Sequence, residues 1–275
     1  MKDITIGQYY PAQSIIHALD ARCKILCTLA LIIFIFLSGT FIGFALSLAF
    51  ILAVTVMAKV PVKTLFKSLK GIFVIIIFTF ILNTFFYKEG NELLSLGFLT
   101  ITSGGLIRAS FMAIRLMLLI IGASLMMLTT SPIEITDGIE SLLSPLKRIG
   151  FPAHEIAMMM SIALRFIPTL TEECDKIMKA QSSRGAVFDE GSLVKRARAI
   201  VALVIPLLVS AFRRADELAT AMEARCYAGG EGRTRLKVQK ITKNDIIAFV
   251  VLAVFCGIIL VDKLVFTNLF AFLAG

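Results

Sequence analysis

The sequence predicts an all-α integral membrane protein. About five transmembrane helices are expected, with a cytoplasmic helical region carrying two long Arg-tipped helices between the fourth span and the last. Three observations predict this. Of the 275 residues 58% are hydrophobic, and mean hydropathy is +0.89, above what soluble globular domains carry. Two long runs, 25–58 and 71–87, contain no charged residue. Finally, 24 of the 28 Lys and Arg fall in three segments that a single topology places on one side of the membrane.

The elements follow in order. The first 21 residues carry Lys2, Asp3 and Asp20 and no apolar core with a small-residue cleavage site, so the first apolar stretch is expected to be retained. As one helix, 25–58 would run ~50 Å against a bilayer core of ~30 Å. A break at Ser38-Gly39-Thr40 splits it into a hairpin of two helices. Lys59, Lys63, Lys67 and Lys70 follow around Pro61 with no acid among them, and the third span covers 71–87. Lys88, Glu89, Glu92 and Gly104-Gly105 make 88–106 a loop. The fourth span runs over about 107–130, with Arg115 inside it and expected to snorkel toward the outer end. A last apolar helix covers about 245–261, followed by a short tail after Asp262-Lys263. The organisation is therefore 1–130 (N-terminal segment and spans one to four), 131–244 (cytoplasmic region) and 245–275 (last span and tail).

Orientation comes from the basic residues. Three lie at the N-terminus, four in 59–70 and seventeen in 131–244, and the hairpin puts all of them on one face. That face is the cytoplasmic one, N-terminus included. The +9 net charge needs no nucleic acid: in 131–244 the seventeen bases face thirteen acids, and the positive-inside bias supplies the excess. Cys23, Cys27 and Cys256 sit in apolar segments and the total of five is odd, so no disulfide framework is suggested.

The region 131–244 is where the chemistry lies. Its apolar runs, 156–170 and 199–212, are too short to span comfortably and suit helices at the membrane surface. Each contains Ile-Pro (Ile167-Pro168, Ile205-Pro206) and leads into a charged helical run. Glu172–Lys176 and Asp175–Lys179 are acid-before-base pairs four residues apart, the favourable order. Each run then closes on an Ala-x-x-small-Arg ending, AQSSRG (180–185) and AMEARCY (221–227). Arg184 and Arg225 thus tip two helices where they complement the dipole, and a guanidinium fork there suits acidic groups on a partner. Gly185 favours a left-handed cap after the first; Cys226 argues against one after the second.

These two endings resemble the two short Arg-containing motifs of the T component of energy-coupling factor transporters, the EcfT family. The stretches LRFIPTLTEECDKIMKAQSSRG (164–185) and PLLVSAFRRADELATAMEARCY (206–227) resemble that family's coupling helices. YYPAQSIIHALDARCKIL (9–26) resembles its N-terminal entry, with Ala21 in place of the usual Pro, as Cys226 stands in place of the usual Gly. The resemblance implies a scaffold in the prokaryotic cell membrane that joins two cytoplasmic ABC-type ATPases to one substrate-binding membrane protein, the S component. Ser183, Arg184, Gly185, Ala224, Arg225 and Cys226 would form the ATPase-binding ends. ATP-driven movement of the two helices would then tip the S component and deliver a vitamin or other micronutrient. Met158, Met159, Met160, Met178 and Met222 offer a pliable surface for contact with the S component, the alternative being packing among these helices.

Other chemistry finds little support. His154-Glu155 opens like H-E-x-x-H, but position 158 is Met, and with His17 as the only other histidine no metal site is expected. No G-x-x-x-x-G-K-[ST] pattern exists, so the chain is expected not to be an enzyme and to need no cofactor, ATP hydrolysis belonging to its partners. A stand-alone secondary transporter or channel is the alternative; it would want ionisable residues in the spans, where Arg115 is almost alone. An intramembrane enzyme would need a catalytic pair at membrane depth, and the spans hold no His and no paired carboxylates. Asp20, Arg22 and Lys24 read as an entry clamp at the cytoplasmic interface.

Overall fold

A computed structural model describes residues 9–87, 91–96, 99–145, 150–186, 188, 192–229 and 242–274. Two compact units emerge. One is built from α1 (Ala21–Leu37), α2 (Phe41–Ala58), α3 (Val62–Lys70), α4 (Phe73–Phe86), α5 (Ser103–Thr129), the start of α6 (Pro132–Leu143) and α9 (Lys243–Ala274). The other takes the end of α6 together with α7 (Ala153–Ser183) and α8 (Leu193–Ala224).

In the first unit α2, α5 and the Lys243–Val265 part of α9 are long and apolar enough to cross a membrane. A fourth span results if α3 and α4, bent by 63° at their junction, count as one. The 17 residues of α1 reach ~26 Å, just short of the bilayer core. Among the described residues this gives three to four spans by length and composition, against the five expected. The long helix α5 packs against α1, α2, α3 and α4, and α9 against α1 and α2. Ile35, Phe44, Ile51, Leu118, Leu128 and Ile259 form the centre of the core.

The break in 25–58 falls at Ser38–Thr40, between α1 and α2. Thr40 caps α2 by accepting from the Gly43 N–H at 3.0 Å and donates to Asp262 of α9. Gly43 is required by this close approach: a Cβ there would lie 2.9 Å from Thr40 Oγ1 and 3.1 Å from Asp262 Oδ2. Arg115 belongs to the same layer. It reaches to the α1–α2 turn, donating from Nη2 to the Ser38 carbonyl at 2.8 Å, and lies 5.5 Å from the centre of the Phe44 ring. That carbonyl answers one of the guanidinium's donors and the Phe44 ring faces its charge, so part of the cost of placing Arg115 inside a span is met within the protein.

At the opposite end of α1 a second polar layer forms. Asp20 caps α1 through the Arg22 N–H at 3.0 Å, and its own N–H donates to Asp245 of α9 at 2.8 Å. Asp245, almost fully buried, also accepts from the Thr242 N–H and hydroxyl at 2.7 Å each. Buried Lys24 donates to the carbonyls of His17 (3.0 Å) and Thr129 (2.9 Å). The expected clamp therefore closes through Asp245 and backbone carbonyls, joining α1, α5 and α9.

Two expectations need correction. Part of 88–106 forms an antiparallel hairpin, β1 (Glu92–Leu96) with β2 (Leu99–Thr102), and α5 begins at once after it. The last helix, expected over about 245–261, runs from Lys243 on to Ala274.

Candidate functional site

The second unit is built on α7 and α8, which pack against each other. Both are long, 31 and 32 residues, and both tolerate an internal proline, Pro168 and Pro206. At their contact the Glu173 carboxylate accepts from Arg214 Nη2 at 2.7 Å and from the Ser210 hydroxyl. Glu173 precedes Arg184 by eleven residues and Arg214 precedes Arg225 by eleven. From the ion pair to each tip is therefore ~16 Å of helix. The two arms are equal.

The tips themselves share one geometry. At the end of α7 the Gly185 N–H donates to the Ser182 carbonyl and the Ala186 N–H reaches back to Gln181, both at 3.0 Å. At the end of α8 the Cys226 N–H donates to Glu223 at 2.8 Å and the Tyr227 N–H to Met222 at 3.1 Å. Each set is a Schellman closure, with an Arg as the helix-capping residue. Arg184 has φ −91° and ψ 8°, and Arg225 φ −95° and ψ 13°. The expectation that Cys226 disfavours a left-handed cap is overturned: its φ is +55°, beside +89° at Gly185. A pair of backbone hydrogen bonds worth about 0.5–1.5 kcal/mol each offsets the 1–2 kcal/mol cost of the left-handed form.

Every predicted residue at these ends falls at a matching place. Ser183 and Ala224 are the last helical residues, Arg184 and Arg225 cap, and Gly185 and Cys226 take the left-handed turn. The Ser183 hydroxyl donates to the Lys179 carbonyl at 3.1 Å. Both arginines are exposed, and among the described residues neither has a carboxylate partner. Two guanidinium forks are thus presented on rigid helix ends, beside the negative end of each helix dipole.

The methionines fall at two levels. Met158, Met159 and Met160 sit near the start of α7, with Met159 and Met160 exposed; Met178 and Met222 are half-buried near the tips. His154, from the rejected zinc pattern, pairs with Glu140 at 3.1 Å. Sequence reasoning missed one feature and anticipated another. The missed feature is the Glu173–Arg214 bridge, whose signal is the shared eleven-residue spacing to the tips. The apolar run 199–212, expected at the membrane surface, leaves Val201, Val204, Ile205, Leu208 and Phe212 uncovered on α8, recurring every three or four residues.

Comparison with known proteins identifies the family. The CbiQ family, described as a cobalt transport protein, matches residues 12–236, from ahead of α1 to beyond the tip of α8. The chain belongs to this family. Its relatives include proteins named energy-coupling factor transporter transmembrane protein EcfT. That of Thermosediminibacter oceani is 54% identical over 91% of this chain and 94% of its own length. That of Ruminiclostridium cellulolyticum is 53% identical over 97% and 99%, and that of Clostridium kluyveri 52% identical over 95% of each. As a T component, the chain is a non-catalytic, multi-pass transmembrane subunit of an energy-coupling factor transporter.

Proposed function

We propose that this chain is the scaffold coupling ATP hydrolysis by two cytoplasmic ABC-type ATPases to the reorientation of a membrane S component that imports a vitamin or other micronutrient. One observation carries the reading: two exposed arginines cap equal helical arms with the same backbone closure. A duplicated tip suits a duplicated partner. Each arm docks one ATPase, with Arg184 and Arg225 engaging acidic groups and Ser183, Gly185, Ala224 and Cys226 fitting the backbone into the groove. The Glu173–Arg214 bridge makes the two arms move together when the ATPases close. The apolar stripe of α8 and the exposed Met159 and Met160 supply a surface for the S component. The N-terminus lies in the cytoplasm, as the Lys and Arg distribution requires.

Two measurements test this. Arg184→Ala with Arg225→Ala is expected to leave membrane insertion intact and abolish ATP-driven uptake, because removing one partner of a desolvated charge pair costs about 2–5 kcal/mol. Wild-type uptake in the double variant would sink the proposal. Cys226 is exposed beside Arg225, so a membrane-impermeant maleimide should label it from the cytoplasmic side only and stop doing so when the ATPases are bound. Labelling from outside would reverse the topology, and labelling indifferent to the ATPases would remove the α8 tip from the interface.

A further inference from the structure

The short helix α3 has three distinct faces. Leu65 and Leu69 are buried, 3% and 7% exposed, where the helix packs against α5. Lys63, Lys67 and Lys70 recur at helical spacing on the side away from Leu65, and all three are exposed. Between these faces Val62 (44% exposed) and Phe66 (63%) present apolar surface outward, and Phe73 (57%) continues it into α4. No acidic residue lies anywhere in 59–87.

Three lysines in nine residues make α3 a costly part of a span, so the bent α3–α4 pair is not one broken transmembrane helix. The 63° bend between them points the same way. The bend turns α3 well away from the axis of the charge-free α4, so that α4 can enter the bilayer while the lysine stripe holds α3 at its surface. An exposed aromatic beside a lysine stripe then meets the boundary where acyl chains give way to headgroups. Lys59 adds to the stripe from an unusual backbone. It holds φ +55° at the end of α2, closed by its N–H to Val56 (3.0 Å) and by the Val60 N–H to Thr55 (3.4 Å). A non-glycine residue in that conformation marks a position where backbone geometry outranks residue preference.

We propose that α3 is an interfacial helix that gathers anionic glycerophospholipid headgroups, with Lys59, Lys63, Lys67 and Lys70 on the phosphates and Phe66 in the upper acyl layer. The lysines supply charge complementarity and the neighbouring apolar stripe supplies depth. An acidic protein surface would satisfy the lysines and leave Val62, Phe66 and Phe73 in water. This site is independent of the two helix tips.

The chain contains no tryptophan, so Phe66→Trp gives a single reporter of its own surroundings. The full-length Phe66→Trp chain in proteoliposomes is titrated with brominated phosphatidylglycerol or with brominated phosphatidylcholine at equal mole fraction. Each lysine near an anionic surface is worth roughly fivefold in affinity, so the anionic lipid should quench several-fold more effectively. High salt should narrow that difference. Lys63→Gln, Lys67→Gln and Lys70→Gln together should abolish it while leaving quenching as such in place. The matching Lys→Arg variant should keep it. Equal quenching by both lipids with the lysines intact would overturn the headgroup assignment. Absence of quenching by either would take α3 out of the bilayer and point to an acidic protein face instead.

Discussion

The tips of α7 and α8 close on the same hydrogen bonds, yet one does so with Gly185 and the other with Cys226. Glycine reaches a left-handed φ at no steric cost, whereas cysteine carries a Cβ into it. That both tips nevertheless arrive at capping arginines within a few degrees of one another shows what sets the geometry. Closure of the last turn decides it, and residue preference gives way. Lys59 teaches the same lesson at the end of α2, where the same closure holds a lysine at φ +55°.

The largest expected effect comes from removing what the tips share. Glu173→Ala leaves the half-buried Arg214 without its carboxylate and Ser210 without its acceptor. Hydrogen bonds to charged groups contribute about 1.5–3 kcal/mol, so thermal unfolding of the purified chain should fall by several degrees. Uptake should fall more than ATP hydrolysis, since each arm still docks but no longer moves with the other. Exchanging the charges, Glu173→Arg with Arg214→Glu, should restore much of the coupling. If the exchange rescues nothing while the single variants keep full uptake, the bridge is a surface ion pair of no consequence.

Next in size is Gly185→Ala. At φ +89° an added Cβ is strained although nothing crowds it. The cost is about 1–2 kcal/mol, paid at the α7 tip alone. Affinity for the ATPases, measured by titration onto the reconstituted chain, should drop about tenfold, and Arg225→Ala should add to that loss if the two tips dock separately. An unchanged affinity would mean that the orientation of Arg184 does not depend on the turn that follows it.

Much of this arrangement was legible because it rests on local contrasts. Ser38-Gly39-Thr40 stood out as small polar residues inside an apolar run, and the chain breaks there. Arg184 and Arg225 stood out through a repeated ending. The parts that were not legible depend on partners far along the chain. Nothing near Arg115 announces the Ser38 carbonyl 77 residues away, and nothing near Glu173 announces Arg214. The end of α9 misled because Asp262-Lys263 resembles the polar edge of a span, whereas Asp262 accepts from Thr40 and the helix continues. The hairpin at 92–102 was hidden by the charges before it and the Gly104-Gly105 pair after it, although Leu99-Thr100-Ile101-Thr102 has the β-branched content of a strand.

The smallest effect sharpens the comparison most. Cys226→Gly gives the α8 tip the same left-handed residue as the α7 tip, and it removes a Cβ from a left-handed backbone without touching Arg225. Relief of that strain favours the folded tip, while the added freedom of glycine in the unfolded chain works against it. The net gain should be no more than about 1 kcal/mol, seen as slower hydrogen exchange at the Cys226 and Tyr227 amides, which make the closure. If exchange there is instead faster, the cysteine side chain contributes packing of its own, and the tips are alike in backbone but not in what stabilises them. Uptake should stay at the wild-type level in either case, because Arg225 keeps the backbone that aims it.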